Sequence, residues 1–246
     1  MFKRLTLIAA LLLPCGAVLA EEGGMELMHA GTDINNMQSL QRGARNFMNY
    51  CSGCHSLQYL RYNRMGDDLK IPAAQLQADL MFTSEKPFDM VNSAMPADAE
   101  QWFGKRPPDL SLAARAKGVD YLYSFLHGFY ADKTRPWGVN NLYLSNASMP
   151  HVLQGLQGLQ KPVFKHEAGE GGEPKMVLTG VEMMSPGSMS PEDYDQFVRD
   201  IVNFLDYAAE PVKATRQSMG VFVILFLLVF FAFAYLLKKE YWKDVH

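Results

Sequence analysis

Cys51-Ser52-Gly53-Cys54-His55 is the one cluster in this 246-residue chain whose residue types and spacing could do chemistry as a unit. Two thiols three positions apart can add to the two vinyl groups of one porphyrin, and the adjoining imidazole then lies under the iron. That is the spacing of a c-type haem attachment motif, and covalent attachment holds the cofactor in an exported protein. Three other chemistries compete for the same residues. Thiol–disulfide exchange uses Cys-x-x-Cys after a strand and at the start of a helix. Here Leu40, Ala44, Phe47, Met48 and Cys51 instead recur at helical spacing, on a segment that could begin near Asp33. A zinc site needs a further ligand, and no other cysteine outside the N-terminal leader can pair with these two. A disulfide across two intervening residues is strained and uncommon.

With His55 on one side of an iron, the occupant of the other axial position separates an electron carrier from a catalyst. Met149 is the expected ligand. It sits in Asn146-Ala147-Ser148-Met149-Pro150, where proline fixes the backbone after the sulfur and small residues let the loop approach the porphyrin. Met95, followed by Pro96, is its nearest rival, and His151 is the nearest alternative donor in chemical type. An ordinary surface or core side chain is the competing role for each. A His/Met iron has a raised reduction potential and leaves no site for substrate, which points to outer-sphere electron transfer.

Stepping outward, Lys105-Arg106-Pro107-Pro108-Asp109-Leu110 reads as an extended turn. A short helix to Lys117 follows, stopped by Gly118. Arg115 on that helix is either a solvated cation or a partner for a haem propionate. Val119 to Tyr130 is a second helical candidate, ending near Gly128. Val163–His166 and Lys175–Leu178 flank an acidic, Gly-rich stretch and suggest a hairpin. Ser190-Pro191-Glu192-Asp193 is a strong helix start, and Tyr194, Phe197, Ile201, Phe204, Leu205 and Ala208 continue it as an apolar stripe. That helix should pack on the one preceding Cys51, with Gly43 permitting close approach, and should end at Ala209-Glu210-Pro211.

Both ends of the chain point to a membrane. Lys3 and Arg4, the apolar run Leu5–Leu13 and the small residues before Glu21 form an export signal over 1–20, taking Cys15 with it. Met219 to Leu237 is 19 residues without a formal charge, enough to cross a bilayer. Lys238, Lys239 and Lys243 after it favour a cytoplasmic C-terminus. This divides the chain into a signal (1–20), an exported domain (21–215) and an anchor with a short tail (216–246). The exported part carries 17 Lys and Arg against 24 Asp and Glu, a net charge of −7, which suits basic partners and not nucleic acid. A 48% hydrophobic composition and three cysteines exclude disorder, collagen and a disulfide scaffold.

Taken together, several segments resemble cytochrome c1, the haem-bearing anchored subunit of the ubiquinol-cytochrome c reductase (bc1) complex. They are Arg42-Gly43 ahead of the motif, Cys51 to Ser56, Arg106 to Ser111, Arg115 to Gly118 with Asp120-Tyr121, Met149-Pro150, Met189-Ser190, and Phe204 to Pro211. The resemblance implies a mainly α, cytochrome c-type haem domain with long loops plus one C-terminal transmembrane helix. It implies one covalently bound haem c, with thioether bonds at Cys51 and Cys54, iron ligation by His55 and Met149, and a propionate contact at Arg115. It further implies an electron path from the Rieske iron-sulfur protein through this subunit to a soluble or anchored cytochrome c, with cytochrome b as the membrane partner. Such a chain is not a catalyst alone but a redox subunit of the reductase, in a bacterial-type inner membrane with its haem domain periplasmic. Some bacterial members carry an extra disulfide for which this chain has no spare cysteine, and residues 153–179 match the family least. The rival readings are a free-standing anchored cytochrome feeding an oxidase, a tethered thiol-disulfide oxidoreductase using Cys51 and Cys54, and a non-redox assembly subunit.

Overall fold

The computed structural model describes residues 25–168 and 174–244, so the expected export signal lies outside the described residues. An extended segment leads into α1 (Met37–Tyr50), followed by β1 (Leu57–Arg61), α2 (Tyr62–Leu69), α3 (Ala73–Asp79) and β2 (Met90–Val91). A single 3₁₀ turn runs into α4 (Glu100–Phe103), then α5 (Ala113–Lys117) and α6 (Val119–His127). Strands β3 (Phe129–Ala131) and β4 (Val139–Asn141) precede α7 (Gln154–Gln157), β5 (Gly158–Ala168) and β6 (Pro174–Pro186). The chain ends in α8 (Pro191–Ala209) and α9 (Lys213–Tyr241). The strands make three separate antiparallel pairs, β1–β2, β3–β4 and β5–β6, around a mainly helical core.

Two helices carry that core. The Asn36 side chain caps α1 by accepting from the Ser39 amide. The helix starts later than the apolar spacing predicts, because Asp33 Oδ1 accepts the Asn35 amide and turns the chain locally first. Helix α8 begins as its sequence demands, with Ser190 accepting from the Asp193 amide and Pro191 in the first turn. Their apolar stripes meet, with Phe47 against Phe204 at 5.7 Å between ring centroids and Tyr50 edge-on to Phe197 at 5.3 Å. Gly43 lies at the crossing, where a Cβ would fall 2.0 Å from the Asp200 carbonyl oxygen and 2.7 Å from Phe204 Cβ.

A polar brace sits beside this crossing. Asp200 is only 2% exposed, yet its carboxylate accepts from Ser39 Oγ at 2.6 Å, Arg42 Nε and Nη2 at 2.6 and 2.9 Å, and Gln196 Nε2 at 2.8 Å. A buried charge is tolerable only when satisfied in this way. Asn203 Nδ2 extends the brace to the Ser39 hydroxyl and the Asp33 carbonyl.

Helix α6 ends at His127, with Gly128 as the expected stop, and Phe129 to Ala131 then pair with Asn141 to Val139. The expected hairpin is longer than its sequence core, running in register from Gly158↔Pro186 to Ala168↔Pro174 through two bulges. Among the described residues, α9 is the one helix long and apolar enough to cross a membrane, and none of its side chains is buried. It encloses the apolar run expected at Met219–Leu237. Its junction with α8 is held by Lys213 Nζ on both Asp206 oxygens, at 2.8 and 2.7 Å, and by the Arg216 guanidinium on the Glu210 carboxylate, at 2.6 and 3.0 Å.

Gly43→Ala is expected to force α1 and α8 apart at a backbone contact, costing about 1–3 kcal/mol. Thermal unfolding followed by circular dichroism on the purified full chain should show a clearly lowered midpoint.

Candidate haem-binding site

The motif is wound as one tight turn at the end of α1. The Cys51 and Ser52 amides both donate to the Phe47 carbonyl, at 2.8 and 3.0 Å, and Ser52 Oγ donates to the Met48 carbonyl at 2.6 Å. The Cys54 and His55 amides then both donate to the Cys51 carbonyl, at 3.0 and 2.8 Å. Both cysteines are free thiols. Burial pushes the Cys51 thiol up to about 12, with Cys54 adding to the shift, and burial raises Cys54 too. A thiol–disulfide exchanger needs the opposite, a thiolate stabilised near neutral pH.

His55 is aimed by the expected extended turn. Its Nδ1 donates to the Pro108 carbonyl at 2.7 Å, which fixes the tautomer and leaves Nε2 available as a ligand. Burial lowers its pKa, against the smaller upward effects of that same hydrogen bond and of the Asp109 carboxylate. The turn itself is tied down immediately after the proline pair. The Leu110 amide donates to the Ser56 carbonyl at 2.9 Å. Asp109 accepts the Gln58 amide on one oxygen and the Ser111 amide on the other, both at 2.9 Å. Proline has no N–H, so in this segment the backbone offers an acceptor without a competing donor.

The structure thus gathers Cys51, Cys54, His55 and the Pro108 carbonyl, while Met149 and Arg115 stand on separate elements. Met149 is half-buried on the loop between β4 and α7, and Met95 is half-buried on the loop after β2. His151 is buried, its ring parallel to Phe129 at 4.7 Å, with neither nitrogen hydrogen-bonded to a partner. Arg115 is exposed on α5. Its charge helps to hold the Glu210 carboxyl below the usual range, behind the larger effect of the direct Arg216 contact. Asp109, Asn140 and Asn141 were not singled out by their sequence. The consecutive asparagines at 140 and 141, a pair able to satisfy loop amides, were the available signal.

Partly buried apolar side chains edge the core that carries the motif. Leu110, Val119, Leu122, Leu126, Leu156, Met189 and Cys51 are partly buried and pack against the core. Val119, Leu122 and Leu126 share one face of α6, at helical spacing.

Two cysteines and a pre-aimed imidazole on one turn, in a mainly helical domain followed by one membrane-length helix, are the arrangement expected of an anchored c-type haem protein. Comparison with known proteins narrows the class. The Cytochrome C1 family model matches residues 30–245. Cytochrome c1 of Allochromatium vinosum is 50% identical over 245 residues, covering 99% of this chain and 100% of that protein. A Nitrosomonas europaea protein named ammonia monooxygenase gamma subunit is 42% identical over 243 residues, covering 98% of this chain and 97% of its own length. The Bradyrhizobium diazoefficiens protein named cytochrome b/c1 is 27% identical over 241 residues, covering 85% of this chain and 33% of that protein. The chain belongs to the cytochrome c1 family, the haem proteins of electron transport that its sequence resembles.

Asp109→Ala removes both amide acceptors that pin the Pro108 carbonyl, a loss of about 1 kcal/mol per hydrogen bond. Hydrogen–deuterium exchange should show the Gln58 and Ser111 amides exchanging faster, with the α1–α8 core amides unchanged.

Proposed function

We propose that this chain is the membrane-anchored haem subunit of a bc1 complex, taking one electron from a Rieske iron-sulfur partner and passing it to a soluble or anchored cytochrome c. The observation that carries this reading is the His55 Nδ1–Pro108 contact on the same turn as two free thiols. Cys51 and Cys54 would hold the haem through two thioether bonds, each formed by adding S–H across one vinyl group. His55 would hold the iron through Nε2, its basicity raised by the Pro108 carbonyl, and Met149 would supply a second ligand. Arg115 reaches a propionate by a charge-assisted contact. Once bound, the haem supplies one-electron iron chemistry, and His/Met ligation sets it at a raised potential.

Cytochrome b is the proposed neighbour of α9, in keeping with the fused name of the Bradyrhizobium diazoefficiens relative. Residues 1–20 act as a leader removed on export, residues 21–215 stand on the periplasmic side, and the tail after α9 is cytoplasmic. Lys238, Lys239 and Lys243 support that orientation.

Three results are expected. Affinity purification of the tagged chain from its native membrane should bring down a b-type cytochrome; a chain that elutes alone would favour a free-standing carrier. Met149→Ala should lower the midpoint potential and open the iron to added ligands, whereas an unchanged potential would remove Met149 from the axial role. Because the domain is acidic, its association with a basic cytochrome c should slow markedly between ~0.01 and ~0.15 M ionic strength. Salt-independent kinetics would contradict electrostatic steering.

A further inference from the structure

The small β3–β4 hairpin grips the Met149 loop from both sides. Upstream, the Asn146 amide donates to the side-chain oxygen of Asn140 at 2.9 Å, and the same oxygen accepts the Asn141 amide at 2.9 Å. Asn146 is in the left-handed region, φ 61°, which turns the chain toward Met149 three residues later. Asn140 is buried and is itself held, its Nδ2 donating to Asp132 Oδ2 at 3.0 Å. Asp132 also accepts the Thr134 amide at 3.0 Å and the Thr134 hydroxyl at 2.6 Å. Arg135 Nη2 adds a contact to the Asn146 carbonyl at 3.3 Å. Downstream, His151 lies two residues after Met149 and stacks on Phe129, which pairs in register with Asn141. The Phe129 carbonyl in turn accepts Gln160 Nε2 at 2.9 Å, fastening the hairpin to the start of β5.

Both anchors of the loop therefore stand on adjacent rungs of one two-stranded sheet, Phe129↔Asn141 and Tyr130↔Asn140. A loop of six residues held at both ends by a single rigid element has little freedom left at its centre. We propose that β3–β4 is a clamp that pre-positions the Met149 sulfur for the iron, with Asn140 and Phe129 as its positioning residues. The proposal rests on the reading of Met149 as axial ligand. A neutral thioether is a weak donor, so its hold on a metal depends on the loop being ordered before the bond forms rather than by it.

The test uses the full-length, haem-loaded protein in its ferric state, with two readouts: the far-red methionine-to-iron charge-transfer band, and the affinity for added cyanide. Met149→Ala should abolish the band. If the band survives that change, the axial reading fails and the clamp with it. If Met149→Ala abolishes it, Asn140→Ala and Phe129→Leu should keep a weakened band and bind cyanide about tenfold more tightly. The paired change Asn140→Asp with Asp132→Asn, which returns an acceptor for both amides and a donor between the two side chains, should restore the wild-type affinity. Thr134→Ala, which trims only the hydroxyl contact to Asp132, should give a smaller shift of the same sign even if Asn140→Ala fails to fold. Wild-type cyanide affinity in Asn140→Ala, Phe129→Leu and Thr134→Ala, alongside a lost band in Met149→Ala, would overturn the clamp while leaving the ligand in place.

Discussion

Everything in this domain is referred to the point where α1 passes α8 with nothing but hydrogen on Gly43 between them. That approach, 2.0 Å from a hypothetical Cβ to the Asp200 carbonyl, leaves one way for the two apolar stripes to interlock. The buried Asp200 carboxylate, filled by Ser39, Arg42 and Gln196, fixes the rotation of α1 about its own axis at the same place. Two turns further on, α1 ends at Cys51. The direction in which the thiols and the imidazole leave the helix is therefore decided by packing between two helices far apart in the chain. A buried ion pair adds little net stability, but it penalises any slipped register that would strand the charge.

Around that fixed point the proposed haem-holding residues are fixed by a few short contacts. The Pro108 carbonyl aims His55, the Cys51 carbonyl closes the motif turn, and the Asn140 side-chain oxygen joins the Asn141 amide on β4 to the Asn146 amide of the Met149 loop. Such contacts tolerate sequence change in the loops while keeping atoms where a rigid planar cofactor needs them. The ion pairs of Lys213 with Asp206 and Arg216 with Glu210 carry the same logic across the junction to α9, joining the last core helix to the membrane helix through charge.

The elements legible in the sequence were those whose signal is local. Ser190-Pro191, Gly118 and the apolar run of α9 each encode their structure within a few residues, and the helix start, the helix stop and the long apolar helix stand there. The packing of Gly43 on α8 was also readable, because two apolar stripes with one glycine between them leave few alternatives. What escaped notice depends on distance along the chain. The pairing of Arg42 with Asp200 spans 158 positions, and the β1–β2 pair joins segments separated by two helices. Helix α1 starts late for a local reason, the Asp33 side chain competing for a backbone amide. The β5–β6 hairpin outruns its apolar core because backbone pairing, once begun at Gly158, continues through residues with no strong preference of their own. At the site, Cys51, Cys54 and His55 announce themselves by spacing, whereas Asn140 gains its role only when the chain returns to it at Asn146.

The central claim is that Cys51 and Cys54 hold a porphyrin through carbon–sulfur bonds. It is tested most directly by extracting the purified chain with acidified acetone and weighing the residual polypeptide intact. The account predicts that the red colour stays with the protein and that the mass exceeds the mature polypeptide by one haem. A colourless pellet with the bare polypeptide mass would contradict it.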